Sequence, residues 1–247
     1  LQTNQQVSDA KTEAIDTITN IQANVAKKPS ARVELDSKFE DLKRQINATP
    51  NATEEEKQDA IQRLNGKRDE VKNLINQDRR DNEVEQHKNI GLQELETIHA
   101  NPTRKSDALQ ELQTKFISQT ELINNNKDAT NEEKQEAINR VSAELARVQA
   151  QINAEHTTQG VKTIKDDAIT SLSRINAQVV EKESARNAIE QKATQQTQFI
   201  NNNDNATDEE KEVANNLVIA TKQKSLDNIN SLSSNNDVEN AKVARSE

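Results

Sequence analysis

The sequence predicts an all-α protein of tandem three-helix bundles (up-down-up), stacked end to end into an elongated rod. Three observations predict this fold. A 77-residue spacing recurs through the chain, apolar residues within each copy follow steps of three and four, and Gly and Pro number only three each. Such steps place one apolar stripe on each helix. So few turn-forming residues leave little room for a sheet with many turns.

The repeat is marked most clearly by a glutamate-rich segment. Residues 52–57 return as residues 129–134 and again as residues 206–211, each 77 residues after the last. The apolar positions keep the same step, as in Ile46, Ile123 and Ile200, in Ile75, Ile152 and Ile229, and in Val7, Val84, Val161 and Val238. A period that does not drift over so many positions indicates a repeat array. We predict bundles at residues 1–81, 82–158 and 159–235, with residues 236–247 opening a fourth copy.

Each copy contains three helical patterns. In the first copy, the predicted helices carry Val7, Ala14, Ile18, Ile21 and Val25, then Ala31, Leu35, Phe39, Leu42 and Ile46, then Ala60, Ile61, Leu64, Val71, Leu74 and Ile75. Helices of this length joined by short loops run antiparallel, so three such stripes close one slim core. The junctions near residues 79–82 and 157–160 are predicted to be short breaks between successive bundles.

Helix starts have their own signature in this sequence. A Thr followed three residues later by Glu forms a capping box, in which each side chain binds a backbone N–H of the other residue. The pattern occurs three times, as Thr53 with Glu56, Thr130 with Glu133 and Thr207 with Glu210. Acidic residues in the same first turn are favoured by the helix dipole. We therefore interpret Glu54–Glu56 as helix-start chemistry rather than a cation site.

The composition excludes several classes of function. A net charge of −9 with no long basic run argues against nucleic-acid binding. No apolar stretch approaches the length of a membrane span. Without cysteine, disulfides and thiolate catalysis are excluded. No nucleophile-and-base group or phosphate loop is present, so we predict a protein that is not an enzyme and takes no cofactor or metal. Because the chain opens with Leu1, we interpret it as a segment of a longer protein.

The histidines and two of the glycines are interpreted as structural rather than functional residues. The three histidines do not recur with the repeat and are interpreted as surface residues: His87, His99 and His156. Gly66 and Gly91 lie within predicted helices, where the other copies have Ala. We interpret both as small residues at a close approach between helices, with a hinge as the alternative.

The 77-residue unit resembles a known family. The segment Asn-Ala-Thr-x-Glu-Glu-Lys, the Asn-rich loop before it and the Ala/Ile/Gln-rich helices are similar to the repeats of giant wall-associated surface proteins of staphylococci. The resemblance covers nearly the whole chain. It implies a rod segment of a cell-surface adhesin, located at the cell wall, with binding of a host extracellular-matrix protein such as fibronectin.

Four functions can be weighed against the sequence, namely a spacer, a host-protein-binding module, an intracellular rod and an enzyme. A spacer predicts an elongated monomer whose repeats can be exchanged. A host-protein-binding module predicts an exposed apolar or aromatic patch outside the core stripes, although Tyr and Trp are absent. An intracellular spectrin-like rod would have a longer repeat with a Trp-centred core. An enzyme lacks any candidate site. The sequence favours the spacer and leaves the binding module open.

Overall fold

The structure, a computed structural model, describes residues 2–243 and within them contains α-helices and no strands. The all-α prediction is therefore confirmed. The helices are α1 (Asn4–Thr19), α2 (Lys27–Asn47), α3 (Glu54–Gln77), α4 (Asp81–Glu96), α5 (Arg104–Asn124), α6 (Asn131–Ala154), α7 (Thr158–Ser173), α8 (Glu181–Asn201), α9 (Asp208–Ser231) and α10 (Asn235–Val243). Helices of 16, 21 and 24 residues follow one another in this order within the 77-residue repeat.

Three groups of three helices pack together. Helix α2 contacts α3 and α4, α5 contacts α6 and α7, and α8 contacts α9 and α10. We call these groups bundle 1 (α2–α4), bundle 2 (α5–α7) and bundle 3 (α8–α10). The chain divides into two compact units, Leu1–Asn101 with α1 and bundle 1, and Pro102–Glu247 with bundles 2 and 3. The prediction of tandem three-helix bundles is confirmed.

The helices of each bundle run up, down and up. In bundle 2, Lys105 at the start of α5 donates to the Asn153 carbonyl at the end of α6, so these two helices are antiparallel. Arg140 in the first half of α6 donates to the Asn176 carbonyl just beyond the end of α7, so α6 and α7 are antiparallel as well. Short connections favour this arrangement because each helix must return beside the one before it.

The bundles differ from the predicted domain boundaries by one helix. We predicted bundles at 1–81, 82–158 and 159–235, which would join α1 to α2 and α3. Instead, α4 completes the bundle of α2 and α3, and α7 completes that of α5 and α6. Breaks were predicted near residues 79–82 and 157–160; the helices are interrupted close by, at residues 78–80 and 155–157, but these breaks lie inside bundles. The physical reason is that these connections are the shortest in the repeat, and they hold the adjoining helices side by side.

The first helix is also shorter than predicted. We expected it to extend through Ile21 to Val25, but α1 ends at Thr19 and residues 21–26 are not helical. No residue of α1 is buried. In bundle 1, Ile98 is the residue equivalent to Ile21, and it packs against the core from the segment that follows α4. The apolar pattern thus continues past the helix end, where Ile98 and Ala100 still reach the core.

The bundles are closed mainly by the apolar stripes that the sequence predicts, with Leu74 of α3 an exception at 40% exposed. All five predicted residues of α2 are buried, namely Ala31, Leu35, Phe39, Leu42 and Ile46. Bundle 2 has a similar cluster. Bundle 3 has fewer buried apolar residues among those described. In it Ala193 and Ser225 occupy the positions of Phe116 and Val148 in bundle 2. The third core therefore contains less apolar volume than the other two.

The two glycines of bundle 1 have different environments. A Cβ added to Gly91 would lie 2.5 Å from Val71 Cγ1, so α4 approaches α3 closely there. A Cβ added to Gly66 would meet no atom within 4 Å, so the predicted close approach is wrong at this position. Because Gly disfavours helices, we expect Gly66→Ala to raise the free energy of unfolding by about 1 kcal/mol.

The same substitution at Gly91 should change the free energy of unfolding in the opposite direction. Overpacking against Val71 costs about 1–3 kcal/mol and exceeds the gain in helix propensity, so Gly91→Ala should lower stability by about 1 kcal/mol. Hydrogen exchange of α3 and α4 amides measures both changes. An equal gain for both variants would show that the α3–α4 contact has room for a methyl group.

Candidate functional site

The predicted capping residues have the geometry of capping boxes in all three copies. Thr53, Thr130 and Thr207 stand just before α3, α6 and α9, and each side chain accepts a hydrogen bond from the N–H three residues on. The returning carboxylates accept from the Thr N–H groups at 2.8 Å in Glu56, 2.9 Å in Glu133 and 2.9 Å in Glu210. Each box provides acceptors for two backbone N–H groups that have no partner within the helix.

One of these glutamates also binds a second helix. Glu133 Oε2 accepts from Thr130 N, while its Oε1 accepts from Val180 N and Glu181 N, each at 2.9 Å. Glu181 is the first residue of α8, so one carboxylate caps the starts of α6 and α8 together. A negative charge is favoured at both places by the helix dipoles. Glu133 therefore joins bundle 2 to bundle 3.

Burial and hydrogen bonding act in opposite directions on the pKa of Glu133. Burial favours the neutral acid, but the N–H groups of Glu181, Thr130 and Val180 favour the carboxylate more strongly. The net result is that the pKa of Glu133 is lowered from its ordinary value. The carboxylate is thus the stable form at neutral pH in this site.

The start of α6 also meets the start of α10. Asn131 N donates to the Ser233 carbonyl at 2.7 Å, and Asn235 N donates to Glu132 Oε2 at 3.1 Å. The Thr130 hydroxyl and the Asn235 side chain are hydrogen-bonded as well. We call this set of contacts, together with those of Glu133, the junction between bundles 2 and 3. Because it engages α8 and the α9–α10 turn at once, the junction fixes the orientation of bundle 3 on bundle 2.

A buried lysine forms a third part of the junction. Lys182 is only 2% exposed, and its Nζ donates to the carbonyls of Lys127 at 2.9 Å and Asn230 at 3.0 Å. Lys127 belongs to the loop of bundle 2 and Asn230 to the end of α9, so the ammonium group spans both bundles. Burial lowers the pKa of Lys182. Carbonyls at a helix end are favourable partners for a cation.

Sequence reasoning missed this lysine, although a signal was present. A Lys occupies the same place in every copy and binds the carbonyl near the end of the second helix of its bundle. The three contacts measure 2.8–3.0 Å and join Lys28 to Asn76, Lys105 to Asn153, and Lys182 to Asn230. The 77-residue recurrence of Lys28, Lys105 and Lys182 could have indicated a structural role.

The remaining candidates have structural surroundings. His87 Nδ1 lies 2.7 Å from Asp78 Oδ2, which is a local contact between the α3–α4 turn and α4. The backbone carbonyl of His99 accepts from Arg63 at 2.9 Å. Glu54–Glu56 lie in the first turn of α3, as expected of helix-start residues. In residues 2–243, no three His, Asp or Glu side chains are grouped so that they could hold a metal ion.

Bundle 3 contains an open groove between α8 and α9. The groove has a volume of about 600 Å³ and is lined mainly by apolar side chains, with lysines at its rim. It is formed by residues whose equivalents in bundle 2, such as Ala137 and Val141, are fully buried. In bundle 3 the corresponding Ala214 and Val218 are half-buried.

Among the described residues, no helix is both long and apolar enough to cross a lipid bilayer.

The fold and the junction define a class of protein, namely a tandem array of three-helix bundles in which bundles 2 and 3 are joined by hydrogen bonds between helix ends. Comparison with known families agrees with this class. The model of a Domain of Unknown Function (DUF1542) matches residues 27–103, 104–180 and 181–247, so the chain belongs to this family. The matched segments coincide with the three bundles of the structure.

The chain is also similar to giant surface proteins of staphylococci. It is 28% identical over 242 residues to the "Extracellular matrix-binding protein EbhA" of Staphylococcus aureus (strain Newman), and to the "Extracellular matrix-binding protein ebh" of strain NCTC 8325 / PS 47. The match covers 97% of this chain but only 7% and 2% of these relatives. The resemblance inferred from the sequence is thus confirmed. No solved structure matches the chain.

Proposed function

We propose that this chain is a spacer segment of a cell-surface adhesin, with a structural rather than an enzymatic role. The observation that carries the proposal is the junction between bundles 2 and 3. Glu133 and Lys182 use buried charges to hold two bundles in one orientation. A flexible tether would need no such contacts. A spacer depends on them, because bundles held in one orientation span a constant distance. Repeats of this kind interact chiefly with their neighbours, so length grows with the number of copies.

The location of this chain at the cell surface is part of the same proposal. Its support is the similarity to relatives that are named for binding the extracellular matrix. Because the chain covers a small share of those relatives, the ligand of the whole protein does not transfer to this segment by similarity. A spacer role requires only that the bundles remain folded and oriented outside the cell.

Small-angle scattering on the monomer peak of a size-exclusion column tests the spacer. A compact globule of this length would have a radius of gyration of about 18 Å. The proposal expects a clearly larger radius and a distance distribution with a long tail. A radius close to 18 Å would contradict it. Scattering by the Glu133→Gln variant provides a second measure, because loosening the junction should broaden the distribution.

A second candidate function is direct binding of a host matrix protein such as fibronectin. It is favoured by apolar side chains that lie on the outside of bundle 3. Phe199 and Val213 are both 70% exposed, and Ile219 is exposed as well. The equivalents of Val213 and Ile219 in bundle 2 are Glu136 and Ser142, which are polar. Exposed apolar residues of this kind are typical of interaction surfaces.

Binding of the full chain to immobilised fibronectin, with other matrix proteins as a panel, tests this candidate. We expect Phe199→Gln to weaken binding, because the first copy has Gln45 at that position. Leu122→Gln is the matched control, since Leu122 is the equivalent exposed residue of bundle 2. Equal binding by both variants and the unmodified chain would exclude this surface, and would leave the spacer proposal unaffected.

A further inference from the structure

The segment between α7 and α8 is not helical, yet it is held against bundle 2. We call residues 174–180 the strap. None of residues 175–180 belongs to a helix or a strand. Ile175 and Ala177 are partly buried and pack against the apolar core of bundle 2. The strap therefore depends on contacts with the helices of bundle 2 to stay in place.

Two side chains of bundle 2 bind the backbone of the strap. Gln119 of α5 is 1% exposed, and its Nε2 donates to the Ile175 carbonyl at 2.7 Å. Arg140 of α6 donates from Nη2 to the Asn176 carbonyl at 2.9 Å. The strap is thus attached to two helices by side-chain hydrogen bonds.

Bundle 1 contains the same arrangement after α4. Arg63 is the residue one repeat before Arg140, and it donates to the His99 carbonyl at 2.9 Å. Beside this contact, Ile98 and Ala100 pack against the core of bundle 1. An arginine contact that recurs at the same step in two bundles is a property of the repeat rather than of one copy.

The strap and the junction connect bundles 2 and 3 in parallel. The strap is the covalent connection and ends at Val180, whose N–H binds Glu133 of α6. Close by, Lys182 binds the carbonyl of Lys127. Tension on α8 therefore passes into bundle 2 through these hydrogen bonds before it reaches the rest of the strap. Because the bonds are few, whereas unfolding bundle 2 exposes its whole apolar core, the junction opens first.

We propose that the strap is a reserve of length, which lets the rod extend under tension while its bundles stay folded. The inference rests on the proposed spacer function. Once the junction opens, the contacts of Gln119 and Arg140 break next and the strap is pulled straight. Its seven residues span at most about 25 Å when extended, which limits the gain in length. The contacts form again when the tension falls, because their partners remain in folded helices.

Optical tweezers applied to the full chain test the reserve of length. Handles can be attached through one cysteine added at each end, since the chain contains no other. We expect reversible steps, each of at most about 25 Å, at forces below those that unfold the helices. Inserting Gly-Ser-Gly-Ser after Gln178, an exposed residue of the strap, should lengthen one such step by about 14 Å. The same insertion after Asp204 is the matched control, because it lies in the loop between α8 and α9 and should change no step.

Weakening the contacts of the strap should lower the force at which the step is completed without changing its size. The double variant Gln119→Leu, Arg140→Leu removes both side-chain donors. It uses residues that other copies have at these positions, namely Leu42 and Leu217. Arg147→Leu is the matched control, because Arg147 is an exposed residue of α6 that pairs within its own helix, and it should leave the step unchanged.

Two results would overturn the proposal. One is unfolding of bundle 2 at the same force that opens the junction. The other is a set of steps that the insertion after Gln178 leaves unchanged. Either result would leave the spacer proposal standing, because scattering from chains under no load tests that proposal separately.

Discussion

Replacing Leu95 with Ala is expected to lower the free energy of unfolding of bundle 1 by about 2–5 kcal/mol. Leu95 lies on α4 and is fully buried in the core of bundle 1. Removing its side-chain atoms loses apolar burial and leaves a cavity that the surrounding helices fill only in part. The small number of apolar residues in each core makes every such loss a large fraction of the stability of one bundle.

The matched control for Leu95 is Ile18, the residue one repeat earlier. If α1 completed a bundle with α2 and α3, as the sequence pattern alone predicts, Ile18→Ala would cost as much as Leu95→Ala. Because Ile18 is exposed, we expect a change within about 0.5 kcal/mol. Hydrogen exchange measured by mass spectrometry at low protein concentration separates the two cases. Loss of protection in α2 and α3 after Ile18→Ala, but not after Leu95→Ala, would restore the predicted boundaries.

Replacing Glu133 with Gln is expected to lower the stability of the second unit by about 1–3 kcal/mol. The neutral amide has one acceptor oxygen in place of two, so it cannot satisfy Thr130 N together with Val180 N and Glu181 N. Buried N–H groups left without a partner cost most of this amount. Protection against hydrogen exchange should fall at the start of α8 as well as at the start of α6.

Glu210 provides the matched control. It forms the same capping box with Thr207, at 2.9 Å, and it is exposed. Glu210→Gln should therefore cost about 0.5–1 kcal/mol, the range of an exposed cap. The difference between the two variants measures what Glu133 contributes through the junction. Equal losses would show that the contact of Glu133 with α8 adds no stability.

The contribution of Glu133 should also depend on pH. Its pKa is lowered in the folded protein, so the unfolded chain takes up a proton at a higher pH than the folded one. The stabilisation is therefore complete above the unfolded pKa of about 4.3 and is lost as the pH falls through the lower folded value. Urea unfolding of the unmodified chain and of Glu133→Gln should differ by a constant amount near neutrality, and the difference should begin to shrink as the pH falls below the unfolded pKa of about 4.3.

The sequence determined the helices of this protein and most of their buried faces. Steps of three and four identified Leu35, Phe39 and Ile46 as core residues, and each is buried. The Thr-x-x-Glu pattern identified the starts of α3, α6 and α9, because a capping box is made by residues close together in the chain. Local chemistry of this kind can be deduced without knowing where the neighbouring helices lie.

Only the tertiary structure decided which helices form one bundle. A repeat with a period of 77 residues has no preferred origin, so Ile18, Leu95 and Leu172 are equivalent in the sequence although only the last two are buried. The contact of Glu133 with Val180 and the one of Lys182 with Lys127 join residues far apart in the chain. Their formation depends on how bundle 3 is placed on bundle 2, and this is a property of three-dimensional packing that a periodic pattern does not contain.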